Sequence, residues 1–196
     1  KIDETAFYLC SKLTKITFAD PEEGQEVKEL EIGAKAFQSC STLESITLPA
    51  RMTSFSVDAF TSCTKLTAVN ISGTYDNAKY SSREGVLTNA DKTEIIYFPR
   101  GREGSYKIPV GVQKIGESAF ESAKLEEIII SGQVEYIAKN AFKSVTSMLT
   151  LTFLGTREDA PLTIEESAFY GCTNLSTLVL PENLVKLGVY SFGNTS

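Results

Sequence analysis

Histidine is missing from this chain of 196 residues. Its absence removes the commonest general base, the usual activator of a Ser or Cys nucleophile and the most versatile metal ligand together. A basic excess is missing as well: 19 Lys and Arg stand against 25 Asp and Glu, a net charge of -6, and the charges are dispersed. Nucleic acid or an anionic membrane surface would call for a basic stripe, so neither is expected as a partner. No run approaches the roughly 18 consecutive apolar residues of a membrane span, and no membrane insertion is expected within the segment. The chain opens as KIDETAF, without a signal peptide or lipidation motif; any targeting signal is expected upstream of residue 1.

Cysteine is sparse, and its placement is informative. Cys10, Cys40, Cys63 and Cys172 each lie three residues after a Phe, and the same slot holds Ala123 and Val145 elsewhere. A slot that accepts Cys, Ala or Val is small, apolar and buried, so the four are read as core thiols. The rivals are a Cys40–Cys63 disulfide between adjacent repeats and a metal cluster. Ladder neighbours carry parallel Cβ vectors that do not converge on a disulfide, and spacings of 30, 23 and 109 residues offer no metal-binding knuckle.

What the chain has in abundance is repetition. The stretch LEIGAKAFQSCSTLESITLP (30–49) recurs at 2–18, 52–71, 112–130, 134–153 and 162–181, with an incomplete copy at 184–196. The Phe residues at 7, 37, 60, 120, 142, 169 and 192 are 30, 23, 60, 22, 27 and 23 residues apart, so a unit of about 23 residues runs through the molecule. Units this short cannot bury an apolar side alone but can do so when stacked, which predicts one α/β solenoid domain over 1–196. Within a unit, Ile46 and Leu48 alternate with Ser45, Thr47 and Pro49, a half-buried strand ended by proline. GAKAFQSC before it reads as a short turn of α or 3₁₀ helix, with Ala36, Phe37 and Cys40 facing inward. Gly33, Gly116 and Gly188 occupy the preceding corner, where free φ is useful. Ile32, Phe55, Ile115, Ile137, Ile164 and Leu187 make a ladder on the opposite wall.

Stacking predicts one parallel sheet with strands at 15–18, 45–48, 68–71, 127–130, 150–153 and 177–180, about 4.8 Å apart. Two departures from the repeat stand out. ADPEEGQE (19–26) reads as an exposed acidic turn. Between Phe60 and Phe120 one coil is lengthened by an insert at 72–111, read as a hairpin of Gly85–Thr88 with Thr93–Phe98 about the polar turn 89–92. Then come the loop PRGREGS and a return strand, YKIP. Arg100, Gly101, Arg102 and Gly104 would suit an anion nest, but the strand-to-helix frame of a phosphate loop is absent.

The unit IGAKAFQSCSTLESITLP and the insert YSSREGVLTNADKTEIIYFP resemble the BspA-like leucine-rich repeat family, also called the Treponema pallidum type. Its pattern is roughly Ile-Gly-x-x-Ala-Phe-x-x-Cys-x-x-Leu-x-x-Ile-x-Leu-Pro. The chain departs from it at Ala123, Val145 and Ser191 and by one missing residue at Lys124-Leu125. The resemblance implies a right-handed leucine-rich repeat stack and a cell-surface or secreted bacterial protein. It further implies adhesion to a protein or glycan, host matrix or another bacterial surface, although parasites of mucosal surfaces carry the repeat too.

No cofactor or metal site is read from the sequence, and an enzyme is not expected. Paired carboxylates for glycoside hydrolysis need a separation of about 5 to 9.5 Å. Glu126 and Glu127 are consecutive on a strand and point to opposite sides, leaving Glu127 with only Glu103 of the insert as a partner. The expected working surface is the outward side of the sheet: Lys15, Thr17, Ser45, Thr47, Ala68, Asn70, Glu127, Ile129, Thr150, Thr152, Thr177 and Val179. These side chains are mostly small, hydroxylated or β-branched, which strand propensity alone also favours. As a rigid strip about 35 to 40 Å long they would suit an extended partner. The alternative is a passive stalk presenting another domain, and a carbohydrate-active or glycan-binding module is a more remote one. Neither end carries a polar cap, so the chain is expected to be a segment of a longer protein whose last coil frays at 185–196.

Overall fold

The fold is organised by the turn around each repeat Phe. The computed structural model describes residues 1–19, 27–155 and 160–195, and among them every regular element is a strand. The helical turns predicted at Ala36-Phe37 and its equivalents are therefore corrected to non-helical turns. The cause lies two residues to either side of the Phe. Lys35 and Ser39 flank Phe37 with φ of 52° and 62°, and Ser118 and Ser122 flank Phe120 with 53° and 59°. The same left-handed pair recurs at Asn140 and Ser144, and at Ser167 and Gly171. A left-handed residue reverses the course of a right-handed helix. Only alternate amides then bond within the turn, as when Ala123 N–H donates to Phe120 C=O at 2.9 Å.

The other amides reach the next coil. Ser118, Phe120 and Ser122 N–H donate to the carbonyls of Lys139, Ala141 and Lys143 at 3.2, 2.7 and 2.9 Å. Asn140, Phe142 and Ser144 do the same to Glu166, Ala168 and Tyr170. Short polar residues at these positions tolerate the left-handed region best, and the inter-coil bonds offset its cost.

The described chain divides into two compact units. The first comprises 1–91 with 99–101 and holds β1 (Leu30–Ile32), β2 (Ser45–Pro49), β3 (Met52–Phe55), β4 (Ala68–Ser72), β5 (Tyr80–Arg83) and β6 (Val86–Asn89). Here β1 pairs with β3 and β2 with β4, both parallel. Ile32 faces Phe55 across the first pair, and Phe7, Phe37 and Phe60 stack at 5.1 Å per step. The second unit comprises 92–98 and 102–196. It holds β7 (Glu94–Tyr97), β8 (Glu103–Lys107), β9 (Lys114–Ile115), β10 (Lys124–Ser131), β11 (Tyr136–Ile137), β12 (Thr150–Leu154), β13 (Leu162–Ile164) and β14 (Leu184–Leu187). Two parallel arrays wall this unit, β8-β10-β12 on one side and β7-β9-β11-β13-β14 on the other. Between them Phe98, Phe120, Phe142, Phe169 and Phe192 stack at 4.7 to 4.8 Å. Each unit is thus a β-solenoid with its core along the Phe ladder.

Four expectations need correction. First, the insert holds a hairpin that was not expected, joining β5 to β6, with Arg83 opposite Val86 and Glu84-Gly85 as the turn. Both turn residues are left-handed, at 52° and 78°, which suits a two-residue hairpin. On one edge β7 runs parallel to β9 as a rung of the solenoid. Phe98 joins the ladder although Tyr97, wholly buried, replaces the usual Ala before it; that replacement hides the coil in the sequence. Second, the strands expected at 15–18 and 177–180 do not form. Third, Gly33, Gly116 and Gly188 lie outside the positive-φ residues. They are needed for close approach: a Cβ would meet Glu4 N at 2.9 Å, Ile95 O at 2.7 Å and Glu166 N at 2.3 Å, respectively. Fourth, Cys40, Cys63 and Cys172 are buried free thiols but Cys10 is only half-buried. Of the acidic turn expected at 19–26, residues 20–26 lie outside the described residues.

Candidate binding surface

The sheet face can be built rung by rung. In the first unit Ser45 lies opposite Ala68 and Thr47 opposite Asn70, while Ile46, Leu48 and Val69 point inward and are buried. Lys15, Thr17, Ser45 and Thr47 line a shallow groove of about 210 Å³, closed off by Pro49 and Ser72. Ala68 and Asn70 are half-buried rather than open. The turn of the hairpin lies beside them: Val69 N–H donates to Gly85 C=O at 2.8 Å, Ile71 N–H donates to Ser82 Oγ at 2.9 Å, and a Cβ on Gly85 would fall 2.7 Å from the Ala68 Cβ.

In the second unit Glu127 faces Thr150 and Ile129 faces Thr152, with Ile128, Ile130 and Leu151 buried behind them. Thr150, Thr152, Thr177 and Val179 line one groove of about 730 Å³, with Leu180, Pro181 and Glu182 along its side. Two residues of this face were missed in the sequence, Ser105 and Lys107 on β8, which pair with Glu127 and Ile129. Their alternation with buried Tyr106 was the available signal. Ser105 Oγ donates to Glu127 Oε2 at 2.7 Å, and Glu103 is held by Lys124 at 3.1 Å. The two carboxylates weighed for hydrolysis are thus each engaged by a neighbouring side chain. The register also shifts between Leu125 and Glu127, so Glu126 sits in a bulge. The loop considered as an anion nest is drawn into packing instead. Gly101 N–H donates to Leu66 C=O at 2.8 Å, and Arg102 lies over the Phe98 and Tyr106 rings at 5.2 and 5.4 Å, a stabilising arrangement for a guanidinium.

The opposite wall of the second unit carries ion pairs of its own. Lys114 pairs with Glu94 at 2.9 Å and lies 5.8 Å from the Tyr136 ring, and Lys186 pairs with Glu165 at 2.7 Å. The hydrogen bond from Lys186 holds the Glu165 carboxyl below its ordinary pKa, and the same bond raises Lys186. By contrast, among the described residues Lys15 is the one charged side chain lining the groove of the first unit and Glu182 the one lining that of the second. Among the described residues, no group of three or more His, Cys, Asp or Glu side chains is placed to hold a metal ion, and no helix is long and apolar enough to cross a membrane.

The sequence matches the family described as BspA type Leucine rich repeat region, in six copies over residues 1–99 and 103–196. No curated protein matches the chain. Among solved structures, the pneumococcal vaccine antigen PcpA is 26% identical with a TM-score of 0.63, over 81% of this chain and 44% of its own. A leucine rich cell surface protein from Faecalibacterium prausnitzii A2-165 is 23% identical with a TM-score of 0.61, over 94% of this chain and 52% of its own. The chain therefore spans about half the length of either, and at the second level of identity the likeness is one of fold.

Proposed function

Because this chain belongs to the BspA type leucine-rich repeat family, we propose that it is a non-enzymatic binding domain of a bacterial surface or secreted protein, engaging a protein or glycan partner through its hydroxyl-rich sheet faces. Similarity to a bacterial cell surface protein and to a vaccine antigen supports the address. The observation that carries the binding role is the groove of the second unit, where Thr150, Thr152, Thr177 and Val179 converge on one concave surface. Rigid strands present these side chains at little entropic cost, and the scarcity of charge among the described lining residues favours a partner recognised by shape and hydrogen bonds.

The test is capture by a panel of immobilised extracellular-matrix proteins and glycans, comparing the natural chain with the double variant Thr47→Lys, Thr150→Lys. Both positions are exposed, and outward changes of this kind alter stability by less than about 0.5 kcal/mol. Loss of capture with an unchanged unfolding curve is the expected result. Capture unchanged in the variant moves the site to the hairpin or the opposite wall, and no capture by any member of the panel favours a stalk that presents another domain.

A further inference from the structure

The array β8-β10-β12 ends at β12. In a parallel ladder successive residues turn their N–H and C=O to opposite sides. Ile129 of β10 turns toward β8, accepting from Ile108 N–H at 2.8 Å, so Ile128 and Ile130 are the residues that bond to β12. Their register partners are Leu151 and Phe153. Thr150 and Thr152 therefore spend their backbone groups on β10, and the N–H and C=O of Leu151 and Phe153 turn outward, where no described strand pairs with them. The next coil does not fill that edge. Among the described residues its segment 176–180 donates no backbone hydrogen bond and stands off β12 across the groove of about 730 Å³.

The first unit shows what chemistry such an edge accepts. The repeat places Val69 and Ile71 of β4 where β12 has Leu151 and Phe153. There the chain supplies its own acceptors, the Gly85 carbonyl and the Ser82 hydroxyl.

We propose that the free edge of β12 takes an extended peptide segment of the partner protein as an added strand. This rests on the reading of that sheet as the working surface and names the partner class for it. Acceptors for two amides one residue apart, and donors for the two carbonyls beside them, are spaced as only extended backbone spaces them. Five residues of β12 offer an edge of about 16 Å, enough for a strand of similar length. The hydroxyls of Thr150, Thr152 and Thr177 and the apolar Val179 favour alternating small polar and β-branched side chains. Glu182, the one charged residue among the described lining, favours a basic residue at one end.

The test uses the synthetic peptide KTVTVTK and a version N-methylated at alternate residues, which keeps the side chains and removes the backbone donors. With the plain peptide, hydrogen exchange at the Leu151 and Phe153 amides should slow at least about tenfold, and the N-methylated peptide should bind at least about tenfold more weakly. Three results overturn the proposal: no added protection at those two amides, equal binding of the two peptides, or both amides as protected without peptide as Val69 is. The last would mean that 176–180 closes on the edge itself. Failure here is distinct from failure of the face reading. If only the edge is wrong, the double variant Thr47→Lys, Thr150→Lys still abolishes matrix capture while the peptide protects nothing. If only the face is wrong, the peptide protects Leu151 and Phe153 with or without those substitutions.

Discussion

The Sγ of Cys63 donates to the carbonyl oxygen of Phe37 at 3.0 Å, one coil away. Cys172 makes the same bond to Phe142 at 3.3 Å and Cys40 to Phe7 at 3.2 Å. Burial pushes the thiols of Cys63 and Cys172 up to about 12 and raises that of Cys40. Thiolate is the reactive form, so all three should resist a thiol reagent until denaturant is added. Half-buried Cys10 should label first. Mass spectrometry of the native protein after brief labelling reads this directly, and fast modification of Cys63 or Cys172 would contradict it.

The same shift has a pH signature. A thiol whose folded pKa lies above its unfolded value stabilises the fold fully below the unfolded value, 9.0, and loses that contribution as pH rises toward the folded one, because the unfolded chain releases its proton first. Stability should therefore fall between about pH 9 and about pH 12. The double variant Cys63→Ala, Cys172→Ala should show a shallower fall in its urea midpoint over that window. Ala123 fills the same slot in another coil at 3% exposure, so the replacement suits the fold. Parallel slopes would show that other groups govern the alkaline limb.

Phe142 sits between Phe120 and Phe169, at 4.7 and 4.8 Å, and is wholly buried. Phe142→Ala should cost about 3–5 kcal/mol through the cavity it leaves. Coils interact mainly with their neighbours, so exchange protection should drop first in the coils around 118–145 and least near Phe37. A uniform drop across the chain would mean that the repeats unfold as one.

Gly116→Ala tests close approach. Its Cβ would fall 2.7 Å from the backbone oxygen of Ile95, an atom that cannot swing aside, and the expected cost is about 1–3 kcal/mol. Gly111, with φ of 95° and nothing near a Cβ, carries strain alone and should cost about 1 kcal/mol as Ala. Thermal or urea unfolding of the pair ranks them; a neutral Gly116→Ala would remove the packing account of the corner glycines.

Much of the fold was legible because the same physical requirement is written several times. Phe at a fixed offset from Ala and Cys marks the core of every coil, and the alternation Ile46-Thr47-Leu48 fixes which side chains face out. The handedness of the turns was not legible. A left-handed Ser122 and a right-handed one are the same letter, and what decides between them is the Lys143 carbonyl waiting in the next coil. The coil of Phe98 was hidden for a related reason, since Tyr97 fills the space that Ala holds elsewhere. The face residues were found by alternation, but the groove beside β12 was not, because it depends on the difference between a segment that pairs with its neighbour and one, 177–180, that does not. No pattern within a single repeat reports that difference.

The turn bonds have a further consequence. Around Phe142 and Phe169, each coil offers three turn amides to the coil that follows and receives three from the coil before it. Donors and acceptors therefore match across these junctions, and the coils that meet there are interchangeable parts. Whole repeats can be duplicated, deleted or shuffled at those junctions without stranding a turn amide, whereas a half-repeat would strand several. A lineage can thus lengthen or shorten such a protein by simple gene duplication, and an engineer can do so by splicing at the Phe turns.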